Sequence, residues 1–378
     1  MDETKTAGAT AAAGGKRENQ VQQVLNILET IKKVSKELRS KSSSDSVDCN
    51  SHIKTLMELQ TQSESIFSVD PHLSSVHQRL SDLNELIQDV LDSEPGGGIR
   101  WFVTRLVRFH ELSRVSSLIE SELQAWVDRE TILNLTKTLY QIHYSKASSD
   151  EEILLQKMDS FREILSKGFD INLQELLLKS GIFSNLERIL RNPLFSTRVR
   201  ERSAIAIKEL VLYNKDVFVV LVLIGQTMKS LLSMASISSL QVLCSLIKAI
   251  KSPFVDELES SGGISKIVDL LHYSEDSEIG LMAFNCVLEI GYFGRKESVQ
   301  AMLNAGLIEK LVELQRLGSN QFTGCVVKFT IQLEIGEGLR QREKRSFKQE
   351  ILETLKKGCV SEAEAATIAA EVLWGASP

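Results

Sequence analysis

The chain has 378 residues, of which 43% are hydrophobic and 25% charged, and its 44 Lys and Arg against 50 Asp and Glu give a formal net charge of −6. This is the balance of a protein built around an apolar core, and so mild a charge excludes a global electrostatic case for nucleic acid or an anionic membrane. Only five prolines and 6% aromatic residues are present, a composition that favours long helices.

Residues 1–18 combine acidic residues with an Ala/Gly run and lack an apolar stretch behind basic ones, so they read as a disordered tail and not as a signal or transit peptide. A helical bundle is expected over 19–149. Val21, Val24, Leu25, Leu28, Ile31, Val34 and Leu38 share one helix face; a second helix is expected over 52–67; Leu73, Val76, Leu80, Leu83, Ile87 and Val90 follow three-four spacing. "SEPGGG" at 93–98 ends that segment. Residues 99–144 hold neither Gly nor Pro, and their length predicts a bend near 128–131 with Asp128 as a cap. Within them "RWFVTRLVRF" interleaves Arg100, Arg105 and Arg108 with aromatics. That composition is compatible with a membrane surface, but Phe102, Val103, Leu106 and Phe109 fall at bundle-core spacing, and the core reading is preferred.

"SKASSDEE" marks a boundary near 149/150, and one pattern then returns through 150–358: "LLLKSGIFSNLERIL", "LVLIGQTMKSLL", "LESSGGISKIVDLL" and "MLNAGLIEKLVEL". Their glycines, Gly181, Gly225, Gly263 and Gly306, are spaced at roughly the 40–47 residues of two- or three-helix repeats. Each unit reads as a short helix ending at the glycine, a second short helix, and a longer third one: "RERSAIAIKELVLY", "SSLQVLCSLIKAI", "IGLMAFNCVLEI" and "GCVVKFTIQLEI". One such unit cannot bury its own apolar face, so a stacked all-α solenoid is expected, with 359–378 as a C-terminal capping helix.

No constellation points to catalysis. The five cysteines, Cys49, Cys244, Cys286, Cys325 and Cys359, are odd in number and far apart and read as reduced thiols, those of the third helices, Cys244, Cys286 and Cys325, as core thiols; His72 and His77 are five apart and face different sides of a helix; no metal or cofactor is implied. "GYFGRKES" has the wrong glycine spacing for a phosphate loop and follows a helix, not a strand. It reads as an inter-repeat turn: Gly291 as a left-handed helix end, Gly294 reversing the chain, and Arg295 and Lys296 pointing outward. The cluster Arg340, Arg342, Lys344, Arg345 and Lys348, diluted by Glu343 and Glu350, reads as a solvated helix.

These units resemble armadillo repeats over residues 172–347. The fullest match is "GRKESVQAMLNAGLIEKLVEL", with the layout V-x-x-x-x-x-x-G-x-I-x-x-L-x-x-L. The chain is similar to plant armadillo-repeat proteins related to the U-box armadillo group, in which a helical N-terminal domain precedes the array, but no Pro- and Cys-rich U-box segment is recognisable here. The resemblance implies an armadillo-like superhelix that binds proteins or peptides. In armadillo carriers of nuclear-import signals the third helices present Trp and Asn ladders four residues apart. Set on that pattern, "AFNCVLEI" places Asn285 and Glu289 at those positions, and the other third helices offer Ile205 with Glu209, Ser245 with Ala249, and Thr330 with Glu334. The ladder is therefore absent. An acidic strip of Glu209, Glu289 and Glu334 would suit a basic peptide, against the alternative that these are ordinary solvated glutamates. The expected role is a non-enzymatic adaptor in the cytoplasm or nucleus. The alternatives are a component of a ubiquitin-ligase assembly and a membrane-associating bundle.

Overall fold

A computed structural model describes residues 17, 19–33, 36, 67, 70, 73–91, 99–144, 151–271, 277–316, 320–359 and 361–374. Among these no strand occurs. The chain divides into two compact units between Asn134 and Leu135, inside one helix, whereas the sequence places a boundary near 149/150. The expected helix over 52–67 lies outside the described residues except for Phe67, as do the side chains of the "RWFVTRLVRF" cluster other than Val107 and Arg108.

The first unit contains α1 (19–33), α2 (Ser74–Leu91) and the first part of α3 (Ile99–Tyr144). The three-four spacing turns Val24, Leu28 and Ile31 of α1, Leu73 and Val76, Leu80 and Leu83 of α2, and Leu112, Ile119, Leu123 and Trp126 of α3 into one buried cluster. Two polar contacts fix its register: Trp126 Nε1 donates to Asp70 Oδ2 at 3.0 Å, and the Arg17 guanidinium grips the buried Glu130 carboxylate through Nε and Nη2 at 2.8 and 2.9 Å. The expected helix break near 128–131 does not occur, and α3 continues unbroken. Asp128 accepts from Gln124 one turn earlier instead of capping, and Thr131 Oγ1 returns to Val127 O, so both polar side chains are satisfied within the helix.

The second unit is a stack of three-helix repeats. It begins with the last part of α3, and helix α4 (Glu151–Ser166) follows. The first repeat is α5 (Ile171–Ser180), α6 (Ile182–Arg191) and α7 (Thr197–Tyr213). The second is α8 (Lys215–Ile224), α9 (Thr227–Met234) and α10 (Ile237–Ile250). The third is α11 (Ser252–Ser260), α12 (Gly263–Leu270) and α13 (Ser277–Phe293), and the fourth is α14 (Lys296–Asn304), α15 (Leu307–Arg316) and α16 (Cys325–Ile335). Helices α17 (Gln341–Gly358) and α18 (Glu362–Trp374) follow. The third helices pack in a single row: α4 on α7, α7 on α10, α10 on α13, α13 on α16, and α16 on α18. This is an all-α, armadillo-like superhelix. Leu210, Leu246, Ile290 and Leu333 lie fully or almost fully buried along the row, each worth about 1.5–3 kcal/mol of transfer free energy.

The junction between first and second helices explains most of the glycine pattern. Gly181, Gly262 and Gly306 adopt φ of 63°, 70° and 75°, a left-handed turn that costs any residue with a Cβ about 1–2 kcal/mol. In the third repeat this residue is therefore Gly262; Gly263 is already the first residue of α12. Gly225 has φ of −77° and is glycine for a different reason. A Cβ there would lie 2.7 Å from Leu221 O and collide with the Glu187 carboxylate, which accepts from Gln226 N and Thr227 Oγ1, both at 2.7 Å, and so caps α9.

The turn "GYFGRKES" also differs from expectation. Gly291 is not a left-handed helix end; it is buried inside α13, where a Cβ would come within 3.1 Å of the Phe329 ring. Gly291 thus permits the close approach of α13 and α16. Gly294 ends the helix, its N–H donating to Ile290 O at 2.7 Å. Arg295 and Lys296 are exposed, and Arg295 Nη1 meets Asp256 Oδ2 at 3.0 Å.

Candidate functional site

The row of third helices presents one continuous outward face, and its register follows from pairs of adjacent buried residues. In α13 these are Ala283/Phe284, Cys286/Val287 and Ile290/Gly291; in α7, Ser203/Ala204, Ala206/Ile207 and Leu210/Val211; in α10, Ser239/Leu240, Val242/Leu243 and Leu246/Ile247. In α16 the pairs are Val326/Val327 and Phe329/Thr330, followed by Leu333. Superposing the pairs puts Ile205, Gln241, Asn285 and Lys328 at one outward position. Glu209, Ser245, Glu289 and Gln332 occupy the next, one turn on.

This register corrects two of the four expected repeats. Thr330 is not on the surface: it is 3% exposed and its Oγ1 donates back to Val326 O at 2.9 Å. Glu334 is exposed but lies off the ladder and meets Lys348 Nζ of α17 at 3.4 Å. In the second repeat the equivalent of Asn285 is Gln241, so Ser245 moves to the position that Ala249 was expected to hold. The repeated "LEIG" at 288–291 and 333–336 invites the wrong alignment, since the two copies differ in burial: Glu289 is half-buried and Glu334 exposed, while Ile290 is buried and Ile335 exposed. Gln241, Lys328 and Gln332 are the residues that motif matching misses. The doubled apolar steps in the sequence are the signal that finds them.

The face is mixed in charge, not an acidic strip. Lys208 Nζ lies 3.0 Å from Glu209 Oε1, and Lys248 Nζ lies 3.2 Å from Glu289 Oε1. The hydrogen bond to Glu289 raises the Lys248 pKa and keeps the ammonium charged. Ser245 Oγ is bonded back to its own helix, donating to Gln241 O at 2.8 Å. The amides behave differently. Asn285 Nδ2 has only the Met282 sulfur at 4.0 Å, and the side chains of Gln241 and Gln332 hydrogen-bond to no protein group among the described residues. Around them lie Leu288, Ile331, Ile335 and Tyr292, all at least partly exposed.

At the start of the row, α4 and α7 enclose a shallow cleft of roughly 470 Å³ lined by Asp159, Arg162, Glu163, Ser166, Arg202 and Glu209. Arg162 Nη1 donates to Asp159 Oδ1 and Arg202 Nη1 forms an ion pair with the same oxygen, both at 3.1 Å, so the two guanidiniums are tied to one carboxylate while Glu163 remains exposed. Among the described residues no group of three or more His, Cys, Asp or Glu could hold a metal ion. No single described helix is long and apolar enough to cross a membrane. The bent pair α8 and α9, at 68° to one another, meets that test together by length and composition, although Phe218, Val222, Met228 and Leu231 are buried in the repeat core.

No family model and no curated protein matches the chain. Among solved structures it is similar to a designed armadillo repeat protein in complex with the peptide (KR)4, at 20% identity over 64% of this chain and 98% of that one, with a TM-score of 0.45. It is also similar to computationally designed armadillo repeat proteins for modular peptide recognition, at 19% identity over 64% and 98%, TM-score 0.44. An engineered protein is 17% identical over 90% of this chain and 87% of its own, TM-score 0.45. These are likenesses of helix layout, and the armadillo-type assignment stands on the three-helix repeats of the chain itself.

Proposed function

We propose that the chain is a non-enzymatic scaffold that holds an extended peptide segment of a partner protein along the row of third helices. The observation that carries this reading is the run of uncommitted amides, Gln241, Asn285 and Gln332, on successive helices of one outward face. A carboxamide offers both a donor and an acceptor, which is what an extended backbone presents at each residue. The flanking Leu288, Tyr292 and Ile331 supply apolar contact. At the α4/α7 end the exposed Glu163 and the half-buried Glu209 favour a basic residue in the bound segment. A cytoplasmic or nuclear scaffold related to the plant armadillo proteins of the U-box group accords with this role.

Titration of the full chain with labelled peptides of equal length, one Lys/Arg-rich and one Asp/Glu-rich, tests it by fluorescence anisotropy. Asn285→Ala with Gln241→Ala should weaken every peptide that binds, by about tenfold for the loss of roughly 1.4 kcal/mol. Glu163→Lys with Glu209→Lys should weaken the basic peptide selectively. Binding indifferent to all four substitutions would place the interaction elsewhere on the chain.

A further inference from the structure

We propose that Cys244 and Cys286 form a peroxide-responsive dithiol that closes into a disulfide between the third helices of the second and third repeats. Cys244 lies on α10 and Cys286 on α13, two helices packed directly together. The Cys286 Sγ points at Leu240 O, 3.5 Å away, and Leu240 lies one turn before Cys244, so the thiol reaches across at the level of its partner. One turn further along the same interface, Lys248 Nζ and Glu289 Oε1 form a cross-link at 3.2 Å, so the two helices are held in register next to the pair.

The two thiols are unequal in a way that assigns their roles. Cys244 is half-buried on the outward face, whereas Cys286 is fully buried. The neighbouring Cys286 thiol lowers the Cys244 pKa against the opposing effect of burial, with help from the Lys248 charge; the neighbouring Cys244 thiol, together with burial, pushes Cys286 well up. Cys244 is therefore the attacking thiolate. Its sulfur attacks the distal oxygen of a hydroperoxide; the S–O bond forms as the O–O bond breaks, giving Cys244 sulfenic acid and releasing the alkoxide, or hydroxide from hydrogen peroxide, which takes up a proton. The Cys286 sulfur then attacks the sulfenic sulfur; the S–O bond breaks and the leaving hydroxide takes the Cys286 proton as water. In total the dithiol loses two protons and two electrons, and the peroxide gains them. This chemistry is independent of what the outward face binds.

The experiment treats the reduced full chain with hydrogen peroxide, blocks the remaining thiols by alkylation and maps the peptides by mass spectrometry. The free-thiol count should fall by two from five, with the Cys244 and Cys286 peptides linked and the link reversed by dithiothreitol. Cys244→Ser should abolish the loss of the Cys286 thiol. Cys286→Ser, confirmed folded by circular dichroism, should leave Cys244 as a sulfenic acid trapped by dimedone; if that variant does not fold, Cys286→Ala serves the same purpose. Overoxidation of Cys244 without a link to Cys286, linkage mainly through other cysteines, or loss of the Cys286 thiol in Cys244→Ser would each overturn the proposal.

Discussion

Gly336 rests against the backbone of Tyr292: a Cβ on Gly336 would lie 2.6 Å from Tyr292 O, the same oxygen that accepts from Glu337 N at 2.8 Å. The ends of α13 and α16 are thus joined backbone to backbone, and no side-chain rotation can make room. Gly336→Ala should cost about 1–3 kcal/mol of stability, as overpacking against a fixed atom does. Gly280→Ala is the comparison, because its Cβ would meet nothing nearer than Phe322 Cζ at 3.5 Å within a helix. There alanine should be neutral or stabilising by up to about 1 kcal/mol. Urea denaturation midpoints measure both, and equal effects at the two positions would refute the backbone-joint reading.

Arg17 and Glu130 make a lopsided pair, since the arginine side chain is 59% exposed and the glutamate only 6%. Removing the arginine leaves a buried carboxylate without its partner; removing both leaves a small cavity and no charge. Arg17→Ala should therefore destabilise the first unit by about 2–3 kcal/mol, and Arg17→Ala with Glu130→Met should recover most of that loss. A double-mutant cycle by chemical denaturation checks the sign of the coupling.

The fold was legible because three-helix periodicity, junction glycines and buried steps repeat within one chain, so each copy corrects its neighbours. The outward face was harder to read. "LEIG" occurs twice with different burial, and sequence identity over four residues outweighed the less obvious doubled apolar steps that set which side of α16 faces inward. Gly225 and Gly291 were legible as glycines of a joint, but their reason is close approach by a neighbouring segment, which only the three-dimensional packing supplies. The unbroken α3 has a local cause: Asp128 and Thr131 find partners one turn back, and a sequence pattern does not distinguish that from capping.

Burial pushes the Cys325 thiol up to about 11 from its ordinary value, and the thiol donates to Leu311 O at 3.1 Å. In the unfolded chain the same thiol ionises at about 8.5–9. The group's folded pKa is raised, so its contribution is fully present below about pH 9 and is lost as the pH rises towards 11. Stability measured by urea denaturation should fall across that window, and Cys325→Ala, although less stable at pH 7, should show a shallower fall. Native-state alkylation provides a second readout: Cys325 should react more slowly at pH 8 than the half-exposed Cys359.

The register of α16 makes the last prediction, and it separates the structural alignment from the one that the repeated motif suggests. Thr330 is 3% exposed, whereas Lys328 stands in solvent at the position equivalent to Asn285. An ammonium at 330 would have to be buried without a partner, so Thr330→Lys should cost at least about 3 kcal/mol or prevent folding of the fourth repeat. Lys328→Thr changes an exposed side chain and should stay within about 0.5 kcal/mol, apart from a small loss of helix propensity. Circular dichroism melts of the two variants decide the matter. If Thr330→Lys melts with the unsubstituted chain while Lys328→Thr is strongly destabilised, the outward face of the fourth repeat is the one carrying Thr330 and Glu334, and the ladder through Lys328 and Gln332 is wrong.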